Sequence, residues 1–186
     1  PSRLLEENER AHFMTKRFDR EGGETKHHIQ TFCALKHFDF NLVSSFSYEQ
    51  LFQTMRELKL DYQDMEQLFR RMVFNVLARN CDDHTKNFAF RLKKEGKWEL
   101  APAYDICHAY RPGSDWVSQH ALSINSKRID ILKEDLIVIG ESIKCKKSAY
   151  IIEEISDTVG RWGEFAKDVE VSKGLMDAIG KTLLRM

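Results

Sequence analysis

The stretch Asn80-Cys81-Asp82-Asp83-His84-Thr85-Lys86-Asn87 decides how the rest of the chain is read. Two acids, an imidazole, an ammonium and an amide fall within eight residues, directly after a long apolar-faced segment. In that segment Met65, Leu68, Phe69, Met72, Val73, Val76 and Leu77 recur at i, i+3, i+4 and i+7, the period of an amphipathic helix. Asp61 is placed to cap it, and Asp64 and Glu66 put negative charge in its first turn. Burial of those seven side chains contributes roughly 10–20 kcal/mol gross, at about 1.5–3 kcal/mol each. The helix is therefore a rigid platform that delivers the cluster at its end. Beyond the cluster, Phe88-Ala89-Phe90-Arg91-Leu92 alternates as a strand, Lys93 to Lys97 is a polar turn around Gly96, and Trp98-Glu99-Leu100 is the return strand. Pro102 stops that strand and Asp105 follows three residues later, so a hairpin brings Asp105 back towards Asn87.

The spacing carries the chemistry. Asp82 and Asn87 stand in the pattern D-x-x-x-x-N, the spacing of the catalytic loop in protein kinases, where the Asp accepts the substrate hydroxyl proton and the Asn holds magnesium. Such a site needs a second acid at a strand end, and Asp105 in Leu100-Ala101-Pro102-Ala103-Tyr104-Asp105-Ile106 supplies it. Oxygen donors suit magnesium, which keeps waters and phosphate oxygens in its shell. The stretch thus reads as a magnesium-dependent phosphotransfer site. Asp82 is the base or the orienter of the hydroxyl, and Asn87 and Asp105 are the metal ligands. His84 and Lys86 complete the catalytic set, the first orienting a ligand or a carbonyl, the second steadying the γ-phosphate as a point charge. Asp83 is the weakest member; its carboxylate is expected to face solvent or to pair with a neighbouring cation.

The sequence D-D-H-T-K-N at 82–87 followed by L-A-P-A-Y-D at 100–105 resembles the HipA family, the serine/threonine kinase toxins of bacterial toxin–antitoxin systems. Lys16-Arg17-Phe18-Asp19-Arg20 matches that family's R-F-D-R stretch, and His28 to Leu35 sits where the family has its hinge. The three motifs keep the family's order from Phe13 to Tyr110. The resemblance implies an α+β, mainly helical fold, similar to a protein-kinase large lobe (the HipA C-terminal domain) with short β-hairpins. Residues 1–35 would be the last part of a nucleotide-binding lobe with the hinge, and 36–186 the helical lobe. It also implies ATP and Mg2+ as cofactors, with nucleotide contacts from His28, Thr31 and Lys86. The implied partners are a protein substrate such as an aminoacyl-tRNA synthetase and an antitoxin carrying a helix-turn-helix. The family's autophosphorylation site would lie before Pro1.

Composition sets outer limits. The 186 residues are 42% hydrophobic and 31% charged, which fits one globular domain. Lys plus Arg and Asp plus Glu balance at 29 each, so no global field argues for direct nucleic-acid or membrane binding. No apolar run approaches the roughly 18 residues of a spanning helix. Cys33, Cys81, Cys107 and Cys145 show neither a close pair nor metal-ligand spacing, and read as reduced thiols of a cytoplasmic protein. The chain opens on Pro1 rather than Met, as a fragment or a processed chain does.

Two other functions stay open at this stage. A two-metal phosphohydrolase could use Asp82, Asp83, His84 and Asp105, but would need further histidines at ligand spacing, and His108 and His120 are poorly placed. A non-catalytic module, or a partial toxin that needs a partner, is the second. Residues 1–186 hold no glycine-rich phosphate loop, and no upstream lysine of a kinase small lobe. His27, His28 and His37 lack a carboxylate or thiol at ligand spacing, so a zinc site there is not expected.

Elsewhere the pattern predicts strands over 11–18 and about 25–32, closed into one hairpin by Gly22-Gly23, while 1–8 offers no buried face. Ser47 is a candidate cap for a helix from Tyr48 to about Leu58, with Leu51, Phe52, Met55 and Leu58 on one face. Residues 109–119 are a loop, placed where kinases carry the activation segment. Helical stripes follow at 131–140, at 148–159 through Ile151, Ile152, Ile155 and Val159, and at 171–184 through Leu175, Met176, Ile179 and Leu183.

Overall fold

The computed structural model describes residues 1–8 and 10–186. Its centre is the helix foreseen from the apolar stripe, α3 (Tyr62–Leu77) in chain order. Asp61 caps it by accepting from the Asp64 amide at 3.0 Å. All seven stripe residues are buried. The helix before it, α2 (Tyr48–Glu57), opens on a capping box. The Ser47 hydroxyl accepts from the Gln50 amide at 3.2 Å, and the Gln50 side chain accepts from the Ser47 amide at 2.9 Å. Two orphan donors are satisfied reciprocally, which is why the helix starts at that residue.

Five short strands precede these helices: β1 (Ser2–Glu7), β2 (Arg10–Thr15), β3 (Arg20–Glu21), β4 (Thr25–Lys26) and β5 (His28–Thr31). One turn of helix, α1 (Phe32–Leu35), follows β5. The expected hairpin over 11–32 is corrected here. β2 pairs with β1, in the register Leu4↔Phe13, and not with 25–32. Gly22 and Gly23 do form a reversal at φ +59° and +85°, but it joins only the two-residue strands β3 and β4. β5 pairs instead with β6 (Ala89–Leu92), which pairs with β7 (Trp98–Leu100), giving an antiparallel sheet in the order β5-β6-β7. Alternation marks a segment as extended but does not choose its partner. Burial does: β6 offers the buried Ala89 and Phe90 to Thr31 and Gln30, whereas 11–18 has no core to join.

The hairpin β6–β7 is the one expected, and it carries the segment after the platform helix back to Leu100. Four further helices, α4 (Lys133–Ser142), α5 (Ser148–Gly160), α6 (Trp162–Asp168) and α7 (Lys173–Gly180), complete the domain. The described residues thus form a mixed α/β fold with seven α-helices and small antiparallel sheets. α3 packs on α5, α2 and β7, and α5 on α4. The stripe of α5 is buried as expected. The stripe at 171–184 is corrected. Helix α7 has no buried residue and Leu175 is exposed, because α7 lies at the rim against α6, a helix the periodicity did not reveal.

All four cysteines are free, with Cys107 exposed and the other three buried. Among the described residues no helix is long and apolar enough to cross a membrane.

Candidate functional site

The acidic loop leaves the platform helix through Arg79, whose φ of +57° ends the helical run. The Asn80 amide donates back to the Asn75 carbonyl at 2.9 Å, and its side chain donates to Asn75 Oδ1 at 3.0 Å. Asn75 in turn donates to the Tyr48 hydroxyl at 2.9 Å, and that hydroxyl donates to Asp83 Oδ2 at 2.8 Å. A buried polar chain therefore runs from α3 through α2 into the loop.

Asp83 is its terminus; of the two expectations for it, the solvent-facing carboxylate is corrected and the pairing with a cation holds. Its side chain is 0% exposed. Besides Tyr48 it accepts from His120 Nδ1 at 3.0 Å and from the Ala121 amide at 2.8 Å. Burial alone would lower the His120 imidazole, but the Asp83 carboxylate outweighs it and raises it to about 10. The two form a buried ion pair. Burial and the same carboxylate push the Tyr48 hydroxyl well above its ordinary value. Arg128 extends the clamp from the far side, reaching the His120 and Ala121 carbonyls and, at 3.3 Å, that of Phe46.

Asp82, one residue earlier, faces the other way, its side chain 47% exposed. Burial of part of that carboxyl raises its pKa; His84 opposes this, while Asp105 and Asp83 add to it. The Asp105 charge is thus felt at Asp82, and also at Cys107 and Tyr104. Asn87 closes the loop by donating from Nδ2 to the Asp82 carbonyl at 2.9 Å and from its backbone amide to the His84 carbonyl at 2.9 Å. Across from it, Tyr104 donates to the Lys86 carbonyl at 2.5 Å. That bond ties the Asp105 segment to the Asn87 segment. Asp105 itself is exposed at φ +53°, a left-handed conformation that Asp tolerates better than most residues.

His84 Nδ1 receives the Lys86 amide at 3.3 Å, which leaves Nε2 as the protonated nitrogen, 3.8 Å from Asp82 Oδ1. Its ring meets Phe40 edge-on at 4.9 Å, and the Lys86 ammonium sits 3.4 Å from the centre of the same Phe40 ring. Phe40, which the sequence did not single out, therefore holds both members of the expected catalytic pair.

The structure brings Asp82, His84, Lys86, Asn87 and Asp105 into two adjoining loop segments. It places His28 and Thr31 on β5, which pairs with the strand leaving the acidic loop. His28 is exposed with its ring 5.9 Å from Trp98, and Thr31 Oγ1 caps α1 by accepting from Ala34 at 3.1 Å. Neither has a hydrogen bond, ion pair or ring contact with the acidic loop.

Among the described residues no three His, Cys, Asp or Glu side chains assemble as a metal-binding group. His120 is engaged with Asp83, and His108 Nε2 lies 2.8 Å from Thr182 Oγ1. A two-metal centre thus lacks its histidines. The donors that remain, the Asn87 amide oxygen and the Asp105 carboxylate, are oxygen only, and no hydrogen bond or ion pair among the described residues engages either. Two protein oxygens completed by waters and phosphate oxygens are what magnesium takes, so the residues present fit that ion.

A mixed domain whose platform helix presents a self-closed acidic loop next to a second acid defines the class. The family model for the HipA-like C-terminal domain matches residues 1–166, and the chain belongs to that family. Among solved structures it is similar to HipA of Shewanella oneidensis MR-1 in complex with HipB and operator DNA. The two share 16% identity at a TM-score of 0.74, over 97% of this chain and 49% of that one, so the chain spans about half the length of that relative. No curated protein sequence matches the chain.

Proposed function

We propose that this chain is the large-lobe part of a Mg-ATP-dependent serine/threonine protein kinase of the HipA toxin type. The observation that carries the reading is the opposed fate of two neighbouring carboxylates. Asp83 is buried and paired, while Asp82 stays open beside the unengaged oxygens of Asn87 and Asp105. In this reading Asp82 accepts the proton of a substrate Ser or Thr hydroxyl, or orients that hydroxyl towards the γ-phosphate. Its carboxyl, raised by burial and by Asp105, is a better proton acceptor than a solvated one. Asn87 and Asp105 hold the ion, and His84 keeps the Asp82 side of the loop in place. Lys86, whose ammonium lies over the Phe40 ring, would steady the γ-phosphate as a point charge. When bound, magnesium supplies charge neutralisation at the phosphate oxygens.

Within this proposal residues 1–35 are the end of the nucleotide-binding lobe and the hinge, with His28 and Thr31 facing ATP, and 36–186 are the helical lobe. A translation-related protein, such as an aminoacyl-tRNA synthetase, is the expected substrate, and an antitoxin with a helix-turn-helix the expected partner. The Shewanella relative is described in a complex that includes operator DNA. That weighs against treating nucleic acid as foreign to such assemblies, and with the chain's balanced charge our reading puts the DNA contact on the antitoxin. The cytoplasm is the matching compartment.

The test uses the full-length protein that contains this chain, assayed with labelled ATP and magnesium. Asp82→Asn is expected to lower kcat by about 10²–10⁴-fold while nucleotide affinity stays within a factor of two or so. Equal loss of binding and rate would instead assign Asp82 to the metal.

A further inference from the structure

Asp82 is also a wall of a cavity. The pocket, of about 290 Å³, is lined by Phe40, Asp82, His84, Trp116, Val117 and Ala121. Apart from the carboxylate and the imidazole, every wall is apolar. The volume lies at the bottom of the roughly 300–1,000 Å³ range of small-molecule sites, and suits one large side chain better than a nucleotide.

The Trp116 indole is 66% exposed, the largest side chain left in water near the acidic loop. It is not on a slack segment. Ser114, itself buried, accepts from the Trp116 and Val117 amides at 3.3 Å each, while the Arg111 amide donates to the Val117 carbonyl at 3.2 Å. Opposite, Phe40 is fixed by the His84 ring and the Lys86 ammonium. Two aromatic walls, Phe40 held by its ring contacts and Trp116 carried on a hydrogen-bonded turn, frame the group that receives the hydroxyl. Exposed aromatics, tryptophan above all, are where interfaces concentrate their binding energy.

The geometry points to this pocket as the acceptor subsite, taking a bulky apolar side chain directly adjacent to the Ser or Thr that is phosphorylated. The inference rests on the phosphotransfer reading of Asp82 and adds the substrate class to it. The occupant is a polypeptide, because hydroxyl and apolar group must reach Asp82 and Trp116 together. A small apolar neighbour such as alanine leaves the two aromatic walls wet, and a glutamate in the pocket faces the Asp82 carboxylate.

The probe is a nine-residue serine peptide with leucine directly before or directly after the serine, compared with alanine and glutamate at the same positions. Residues 1–186 carrying 5-fluorotryptophan give one resonance each for Trp98, Trp116 and Trp162, assigned with Trp116→Phe. The Trp116 resonance is expected to move with one of the leucine peptides, at an affinity about 10-fold or more above the alanine peptide. Trp116→Ala removes the preference; the side chain is mostly exposed, so the fold survives its loss. Equal binding of all peptides, shifts confined to Trp98 or Trp162, or a Trp116 shift produced by a non-hydrolysable ATP analogue instead, overturns the subsite. In the full-length protein Trp116→Ala raises the KM for the leucine peptide several-fold and leaves that for ATP unchanged. Phosphorylation without any leucine preference overturns the subsite but keeps the kinase. A leucine-dependent Trp116 shift with no phosphorylation by the full-length protein keeps the subsite and removes the kinase.

Discussion

Asp82 and Asp83 are chemically identical and one residue apart, yet their surroundings separate them completely. Asp83 is buried and paired with His120, while Asp82 keeps nearly half of its side chain in water. Sequence spacing identified the open acid and undervalued the closed one. The reason is reach: the Asp83 partners Tyr48 and His120 lie 35 and 37 residues away, and no local pattern connects them. A weak hint existed in Asn75, a polar residue on the buried surface of the platform helix that had to find a partner. The buried pair makes a signed prediction. The His120 imidazole is raised from 6.5 to about 10 in the folded protein, so its contribution to stability is fully present below about 6.5 and is lost as pH rises towards 10. Urea midpoints measured from pH 6 to 10 are expected to fall with pH in the parent chain, and much less steeply in His120→Gln. Asp83→Ala leaves a buried imidazolium without its counter-charge and is expected to cost about 3–5 kcal/mol at neutral pH. A loss below about 1 kcal/mol would mean that the pair holds the loop without holding the fold.

At the scale of elements, what could be read from the sequence depended on whether an element's partner was encoded locally. α2 and α3 were legible because cap, first-turn charge and apolar stripe all lie within the helix itself, and all agree. The β6–β7 hairpin was legible for the same reason. The pairing of β5 with β6 was not, since it joins segments some sixty residues apart through the buried face of the sheet. Helix α7 shows the converse failure, where the stripe residues Leu175, Met176 and Ile179 reach no buried position and only Leu183, beyond the helix end, packs against the core. The contact of α4 with α5 was also invisible. A Cβ on Gly140 would collide with the Ser148 side chain, itself at the start of α5, and lie 3.3 Å from the Phe69 ring. Gly140 is therefore required for close approach. Gly140→Ala is expected to destabilise by about 1–3 kcal/mol despite its better helix propensity. Thermal melts of Gly140→Ala beside Gly163→Ala, where a Cβ meets nothing within 4 Å, separate packing from propensity. Equal melting temperatures would show that α4 slides to make room at little cost.

For the whole molecule, the family membership was legible from three short motifs, because the R-F-D-R stretch, the acidic loop and the Asp105 segment keep the family's order and spacing. What the same chain can do alone is a separate matter. Phosphoryl transfer is mostly positioning and charge neutralisation, so the triphosphate has to be held from both sides. In the proposed reading, residues 1–186 would offer the acceptor side through Asp82 and the metal side through Asn87 and Asp105. They contain no glycine-rich run to cover the phosphates; Gly22 and Gly23 serve a two-residue hairpin. The hairpin of β1 and β2 is exposed along nearly its whole length, and a lone two-stranded ribbon is marginal in water. The core formed by α2, α3, α4, α5 and the three-stranded sheet needs nothing from that hairpin. Residues 1–186 are therefore expected to unfold cooperatively, with amides of 2–7 and 10–15 exchanging fast and those of α3 exchanging slowest. They are also expected to transfer no measurable phosphate from labelled ATP in the presence of magnesium. Hydrogen exchange and the labelling assay on one preparation test both halves. Robust labelling that disappears with Asp82→Asn would place a complete nucleotide site within these residues, and would move the phosphate grip from a separate lobe onto Lys86 and its neighbours.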